Sequence, residues 1–133
     1  MSTPDPLDQA RTMWDHDPAS RALGMALLEL GAGRAVVAMT VRPDMVNGYQ
    51  VCHGGLVAAL ADSAFALACN SRGVRTVAAG FDVAFLEPAH ESDVLVATAE
   101  ERALRGRSGI YDVTVRRDET VVAEFRGRSR SLG

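Results

Sequence analysis

The amino-acid sequence predicts an α+β domain in which an antiparallel sheet covers one long apolar helix. Three observations carry that prediction. From Gly54 to about Ser71 the chain has no proline and is rich in Ala and Leu, the strongest helix formers. Flanking segments alternate apolar and polar residues with the period of a strand. After short N-terminal helices, the elements run in the order two strands, one long helix, four strands.

Residues 7 to 15 (LDQARTMWD) suit a short helix, and Pro18 followed by ASRAL suits a second that ends at Gly24. Residues 25 to 30 and 34 to 41 read as a hairpin through Gly31-Ala32-Gly33, with Ala35, Val37, Met39 and Val41 on one face. Residues 42 to 53 (RPDMVNGYQVCH) hold Pro, Asp, Asn and Gly and read as a loop. The segment GLVAALADSAFALACNS is long enough for about five helical turns, and Gly73 ends it. Residues 75 to 86, 93 to 104, 109 to 117 and 120 to 130 read as strands. In the third of these, Tyr111, Val113 and Val115 alternate with Asp112, Thr114 and Arg116. In the last, Val121, Ala123 and Phe125 alternate with Glu124, Arg126 and Arg128. Each pattern predicts one buried and one wet face, with a hairpin turn at Arg117-Asp118-Glu119.

The 133 residues predict one domain, 1–133, large enough to bury a core without metals or disulfides. The net charge of -3 gives no reason to expect nucleic acid as a partner. No apolar run is long enough to span a bilayer. The start, MSTPDPLDQARTMW, lacks the basic-then-apolar pattern of a signal peptide, so a cytoplasmic protein is expected. Cys52 and Cys69 are expected to stay thiols there. No CxxC pair or Cys/His cluster points to a metal. All 14 basic residues are Arg, which excludes Schiff-base chemistry by a lysine.

One residue does not suit its helix. From Leu56 to Cys69 only Asp62 and Ser63 are conventionally polar, and Asp62 is the only carboxylate. A helix apolar all round is buried, and a buried carboxylate must be paired, protonated or functional. Either it caps a loop or pairs with an Arg inside the fold, or it does chemistry. At the helix start, Gly54 and Gly55 have backbone N–H groups without intrahelical partners, and with the helix dipole these form an anion site. The same glycines also suit a plain loop-to-helix turn. Together the two features suggest acyl transfer, with the N–H groups stabilising an oxyanion and the carboxylate attacking the carbonyl or activating water. Asp62, however, lies eight residues after Gly54, about 12 Å along the axis. No single carbonyl sits about 3 Å from both. A two-fold dimer with antiparallel helices removes the conflict and gives two equivalent sites.

The segment Asn47-Gly48-Tyr49-Gln50-Val51-Cys52-His53-Gly54-Gly55, with Leu60-Ala61-Asp62-Ser63-Ala64-Phe65, resembles the PaaI thioesterases of phenylacetate degradation. Ala22-Leu23-Gly24, Ala68-Cys69-Asn70-Ser71, Phe85-Leu86-Glu87-Pro88, Gly109-Ile110-Tyr111-Asp112 and Phe125-Arg126-Gly127 extend the resemblance over nearly the whole chain. It implies the hotdog fold, a sheet wrapped around one central helix, paired into homodimers and commonly homotetramers. It implies hydrolysis of aryl-CoA thioesters such as phenylacetyl-CoA and its ring-hydroxylated forms. CoA is then part of the substrate, and no cofactor is expected. By the same resemblance Asp62 is the catalytic carboxylate, Gly54 the oxyanion donor, Asn47 the polar residue that positions water or thioester, and His53 the histidine beside the donor.

Substrate contacts are expected from Gly55, from Gly80 and Phe81 beside the pantetheine arm, and from Arg107 and Arg128 at the CoA phosphates. Arg126, Arg128 and Arg130 share one face of the last strand; the alternative reading is a solvated face. Cys52 has no clear histidine-and-carboxylate support as a nucleophile, and Ser63 lacks a G-x-S-x-G context. Two other readings stand beside hydrolysis: an acyl-CoA hydratase or dehydratase on the same fold, and a non-catalytic acyl-CoA-binding protein.

Overall fold

The long apolar segment forms a 16-residue helix, α3 (Gly54–Cys69), around which the other elements are arranged. The computed structural model describes residues 4–133; residues 1–3, the first of the start read above as lacking a leader, lie outside it. Two short helices, α1 (Asp8–Asp15) and α2 (Pro18–Ala22), precede the hairpin β1 (Ala26–Gly31) and β2 (Arg34–Thr40). A 3₁₀ turn (Pro43–Met45) opens the loop before α3. Four strands follow: β3 (Thr76–Phe85), β4 (Val94–Arg105), β5 (Ser108–Arg117) and β6 (Thr120–Ser131). All pairings are antiparallel, in the order β1-β2-β4-β5-β6-β3. One sheet curves around one helix, which is the hotdog fold.

The expected alternation places the core. Ala35, Val37 and Met39 of β2, Leu95, Ala97 and Ala99 of β4, and Val113 and Val115 of β5 are almost wholly buried against Leu60, Ala61, Ala64 and Leu67 of α3. Phe65 sits at the centre, its ring 5.7 Å from that of Tyr111 and 5.8 Å from that of Phe125. The outer face is polar: Arg102 and Arg126 both reach Asp112, and Thr114 donates to Glu124.

One strand departs from the expected pattern. Val121 was expected on the buried face beside Ala123, but the β5–β6 register shifts there: Val115 pairs with Ala123 and Arg116 with Val121. The extra residue is a bulge. It turns Val122 inward to 1% exposure and leaves Val121 only partly buried. The Val122 carbonyl accepts from the N–H groups of Leu86 and Glu87, which ties the end of β3 to the sheet.

At Gly127 a Cβ would lie 2.8 Å from the Phe65 ring, which has no room to retreat. Gly127→Ala is expected to cost about 1–3 kcal/mol through overpacking, read from urea denaturation as a lower midpoint at unchanged slope.

Candidate active site

The site starts where the loop meets α3. The His53 carbonyl accepts from Leu56 and Val57 (3.0 and 3.2 Å), and its N–H donates to the Met45 carbonyl (2.9 Å). Its backbone therefore fixes the helix entry. Its ring is exposed and caps nothing. The N–H groups of Gly54 and Gly55 form no hydrogen bond within the described chain. A Cβ on Gly54 would lie 2.9 Å from the Phe85 ring, so glycine is what lets that ring rest on the helix start.

Asn47 makes an Asx turn. Its Oδ1 accepts from the N–H groups of Tyr49 (2.8 Å) and Val51 (3.3 Å), while its own N–H donates to the Val51 carbonyl (2.8 Å). The turn reading and the site reading are both met. The oxygen holds the loop, and the side chain lines a 370 Å³ cavity with Gly54, Cys52, Phe85, Pro88 and Val122.

Asp62 lies on the side of α3 that faces β3. With Gly54, Gly55, Ala58, Ala59, Phe81, Val83 and Phe85 it lines an open trough of about 470 Å³, in which its carboxylate is the only charged group among the described residues. Phe85 borders both this trough and the Asn47 cavity. Burial, and then the negative charge of Asp17, push the Asp62 carboxyl above the usual carboxylate range. No arginine pairs with it, so the internal ion pair weighed from the sequence is not formed among the described residues. Burial raises the Cys52 thiol, and burial followed by Asp62 raises Cys69 to about 12. Neither cysteine is poised to be a thiolate nucleophile.

The remaining expected residues separate by face. Phe81 points inward, stacks on Phe125 at 4.6 Å and walls the trough. Gly80 and Arg128 are paired across β3 and β6 on the outer face, where the Arg128 guanidinium lies 3.3 Å from the position of a Gly80 Cβ. Gly80 thus makes room for Arg128, whose Nη1 donates to Asp82 (3.1 Å), rather than for a ligand in the trough. Arg107 stands at the opposite end of α3 from Gly54, beside a 110 Å³ cavity with Cys69, Tyr111 and Ser129.

Two features escaped the sequence reading. One is the Phe85 ring against Gly54. The other is a chain of hydrogen bonds beside Asp62. Asp17 caps α2, its Oδ1 accepting from the Ser20 N–H (2.9 Å) and its Oδ2 from the Ser20 hydroxyl (2.7 Å). Ser20 Oγ lies 2.7 Å from Ser63 Oγ. Asp17-Pro18 could have been read as a helix start, but nothing local shows that it reaches α3.

Residues 49–124 match the family model described as the thioesterase superfamily. The chain belongs to the thioesterase superfamily. Within it, the chain is 43% identical over 125 residues to the acyl-coenzyme A thioesterase PaaI of Escherichia coli K12, covering 93% of this chain and 89% of that one. The structure of E. coli PaaI superposes with a TM-score of 0.93 at 41% identity, covering 97% and 94% of the two chains. A point mutant of the phenylacetic acid degradation protein PaaI from Thermus thermophilus gives 0.85 at 40% identity, over 87% of this chain and all of that one. The PaaI type and the hotdog fold expected from the sequence are both met.

The raised Asp62 carboxyl has a consequence for this enzyme's stability. Above the unfolded value of 3.8 the unfolded chain releases the Asp62 proton more readily than the folded one, so the folded state bears the cost of a carboxylate in an apolar trough. Below the unfolded value of 3.8 both states are neutral and the cost is gone. Asp62→Asn is therefore expected to melt at a higher temperature than the parent chain at pH 7. The gap should narrow as the pH is lowered towards 3.8, followed by thermal denaturation across a pH series.

Proposed function

We propose that this chain, acting as one domain over residues 1–133, hydrolyses acyl-CoA thioesters to free acid and CoA. Its substrates are aryl-acyl groups such as phenylacetyl-CoA or hydroxyphenylacetyl-CoA. The observation that carries the proposal is the trough, which one carboxylate and, two turns earlier on the same helix, two unbonded N–H groups line among apolar side chains. Phe81, Val83 and Phe85 offer an apolar wall with two aromatic rings, suited to an aromatic acyl group.

In this reading the thioester carbonyl oxygen takes hydrogen bonds from the Gly54 N–H at the positive end of α3. The Asp62 carboxylate either attacks the carbonyl carbon or takes a proton from the attacking water. The Asn47 amide NH₂ orients that water or the thioester. His53 serves through its backbone, and Gly55 adds a second N–H. The reaction needs no cofactor.

Asp62 and Gly54 of one chain remain too far apart for one carbonyl, so each site joins Asp62 to the partner subunit's Gly54. Strand β3 supports this pairing. It is a sheet edge, with Val77, Phe81 and Phe85 each more than 40% exposed, and an unpaired edge is a template for another strand. Two β3 strands running antiparallel about a two-fold axis would set the start of one beside the end of the other. The homodimer is the minimal unit, and two dimers make a homotetramer.

The CoA phosphates are assigned to Arg107 and Arg128. Arg107 is favoured, because Arg75, Arg105 and Arg130 adjoin it at the start of β3 and none of the four is in an ion pair among the described residues. Among those residues no helix is long and apolar enough to cross a membrane, and a cytoplasmic location is proposed with the activity.

Release of free thiol from phenylacetyl-CoA tests the reaction, and a screen across aryl- and alkyl-CoA esters fixes the acyl group. Asp62→Ala is expected to lower kcat by about 100- to 10,000-fold; full activity in that variant sinks the mechanism. Mixing Asp62→Ala chains with Gly54→Pro chains is expected to restore about one site per heterodimer. No rescue would show that sites are not shared.

A further inference from the structure

The hydrogen-bond chain beside Asp62 is built from both ends. The Ser20 hydroxyl directs its proton to Asp17 Oδ2 at 2.7 Å. The Ser20 oxygen is then the acceptor towards Ser63, whose hydroxyl donates across 2.7 Å. Ser20 is 3% exposed, so water does not compete for this link. Ser63 follows Asp62 on the same turn of α3. The chain therefore ties α2 to the one turn of the central helix that carries the carboxylate. A cap for α2 needs only the Ser20 N–H, which Oδ1 already satisfies at 2.9 Å. The second oxygen and the serine pair are surplus to capping.

The surroundings of Asp62 contain little else that carries charge. Strand β3 presents Phe81, Val83 and Phe85. The faces of β2, β4, β5 and β6 that pack on α3 present Ala35, Val37, Met39, Leu95, Ala97, Ala99, Val113, Val115, Ala123 and Phe125. Helix α1 presents Ala10, Met13 and Trp14, and β1 presents Leu27 and Leu30. The ionisable groups of the Glu101–Arg72–Tyr111 cluster and Cys69 stand at the far, C-terminal end of α3. Beside Asp17, the exposed His16 ring is engaged with the Thr12 carbonyl, and the Arg21 guanidinium with the Asp15 carbonyl. Asp17 is the charged group tied to the Asp62 turn.

We infer that Asp17 is a positioning residue for Asp62: through Ser20 and Ser63 its carboxylate is tied to the turn of α3 that carries the reacting carboxylate. The inference rests on Asp62 being the reacting carboxylate. A like charge nearby disfavours a second ionisation, in agreement with the upward push on Asp62. A more basic carboxylate is a better general base or nucleophile near neutral pH.

The test removes the charge and keeps the cap. Asn and Ser both cap helices well, so Asp17→Asn and Asp17→Ser preserve the bond to the Ser20 N–H. Two readouts are taken: the acidic limb of kcat/KM against pH with phenylacetyl-CoA, and the Asp62 side-chain carboxyl followed directly by carbon NMR as the pH is changed. Both variants are expected to move the acidic limb and the NMR midpoint to lower pH, to lower the high-pH plateau of kcat and to leave KM in place. Asp15→Asn, the same charge change on an exposed neighbour, is expected to move neither. If the Asp17 variants only lower the melting temperature, or if Asp15→Asn moves the midpoint as far, the inference is overturned. The NMR titration needs no turnover, so a failure to hydrolyse CoA esters sinks the proposed function without deciding the role of Asp17, and the converse also holds.

Discussion

The apolar circumference of α3 is the constraint on which the rest of the structure depends. A 16-residue helix carrying Val, Leu, Ala and Phe on every side cannot leave much of itself in water. All six strands of the sheet and both short helices contribute to its cover. The cover is complete where β2, β4, β5 and β6 pass and incomplete along β3, the edge strand. The gap there is the trough. The opening is thus a consequence of strand order: the chain crosses from α3 directly to the sheet edge, and only then fills in β4, β5 and β6.

That gap gives Asp62 its character. The same carboxylate on a wet helix face would be an ordinary solvated acid. Here one wall is aromatic, the other is a row of Gly and Ala, and among the described residues no cation stands opposite. The charge is tolerated at a cost in stability, which is the usual state of affairs where a group is kept for chemistry rather than for folding. The helix start adds the complementary half, N–H groups aimed outward and kept accessible by glycine. A carboxylate poorly stabilised by its surroundings and amides with nothing to bond are two unsatisfied features of one helix.

The legible parts of this molecule were those set by local periodicity. The Ala-Leu segment, the alternation in β2 and β5 and the loop chemistry around Asn47-Gly48 all depend on neighbours within a few residues. Asp62 was legible because it breaks a local pattern. The illegible parts depend on register and on contacts between distant segments. The bulge at Val122 follows from how β6 pairs with β5, which no single strand encodes. The Ser20–Ser63 link spans 43 residues. Gly80 looked like room for a ligand, and only the β3–β6 pairing shows that the room belongs to Arg128. His53 was grouped with the site for its place in the chain, yet its contribution runs through its backbone while its ring faces solvent.

The ladder of charge on the outer face, Arg102 and Arg126 on Asp112 and Thr114 on Glu124, has a consequence for how copies of this chain can meet. To press another surface onto it, water would have to be stripped from two guanidinium groups and at least one carboxylate, a cost that their mutual attraction does not reliably offset. Burying the outer side of the sheet therefore carries a desolvation cost. A row of ordinary surface charges thus makes this face a costlier one to bury than the apolar edge at Val77, Phe81 and Phe85.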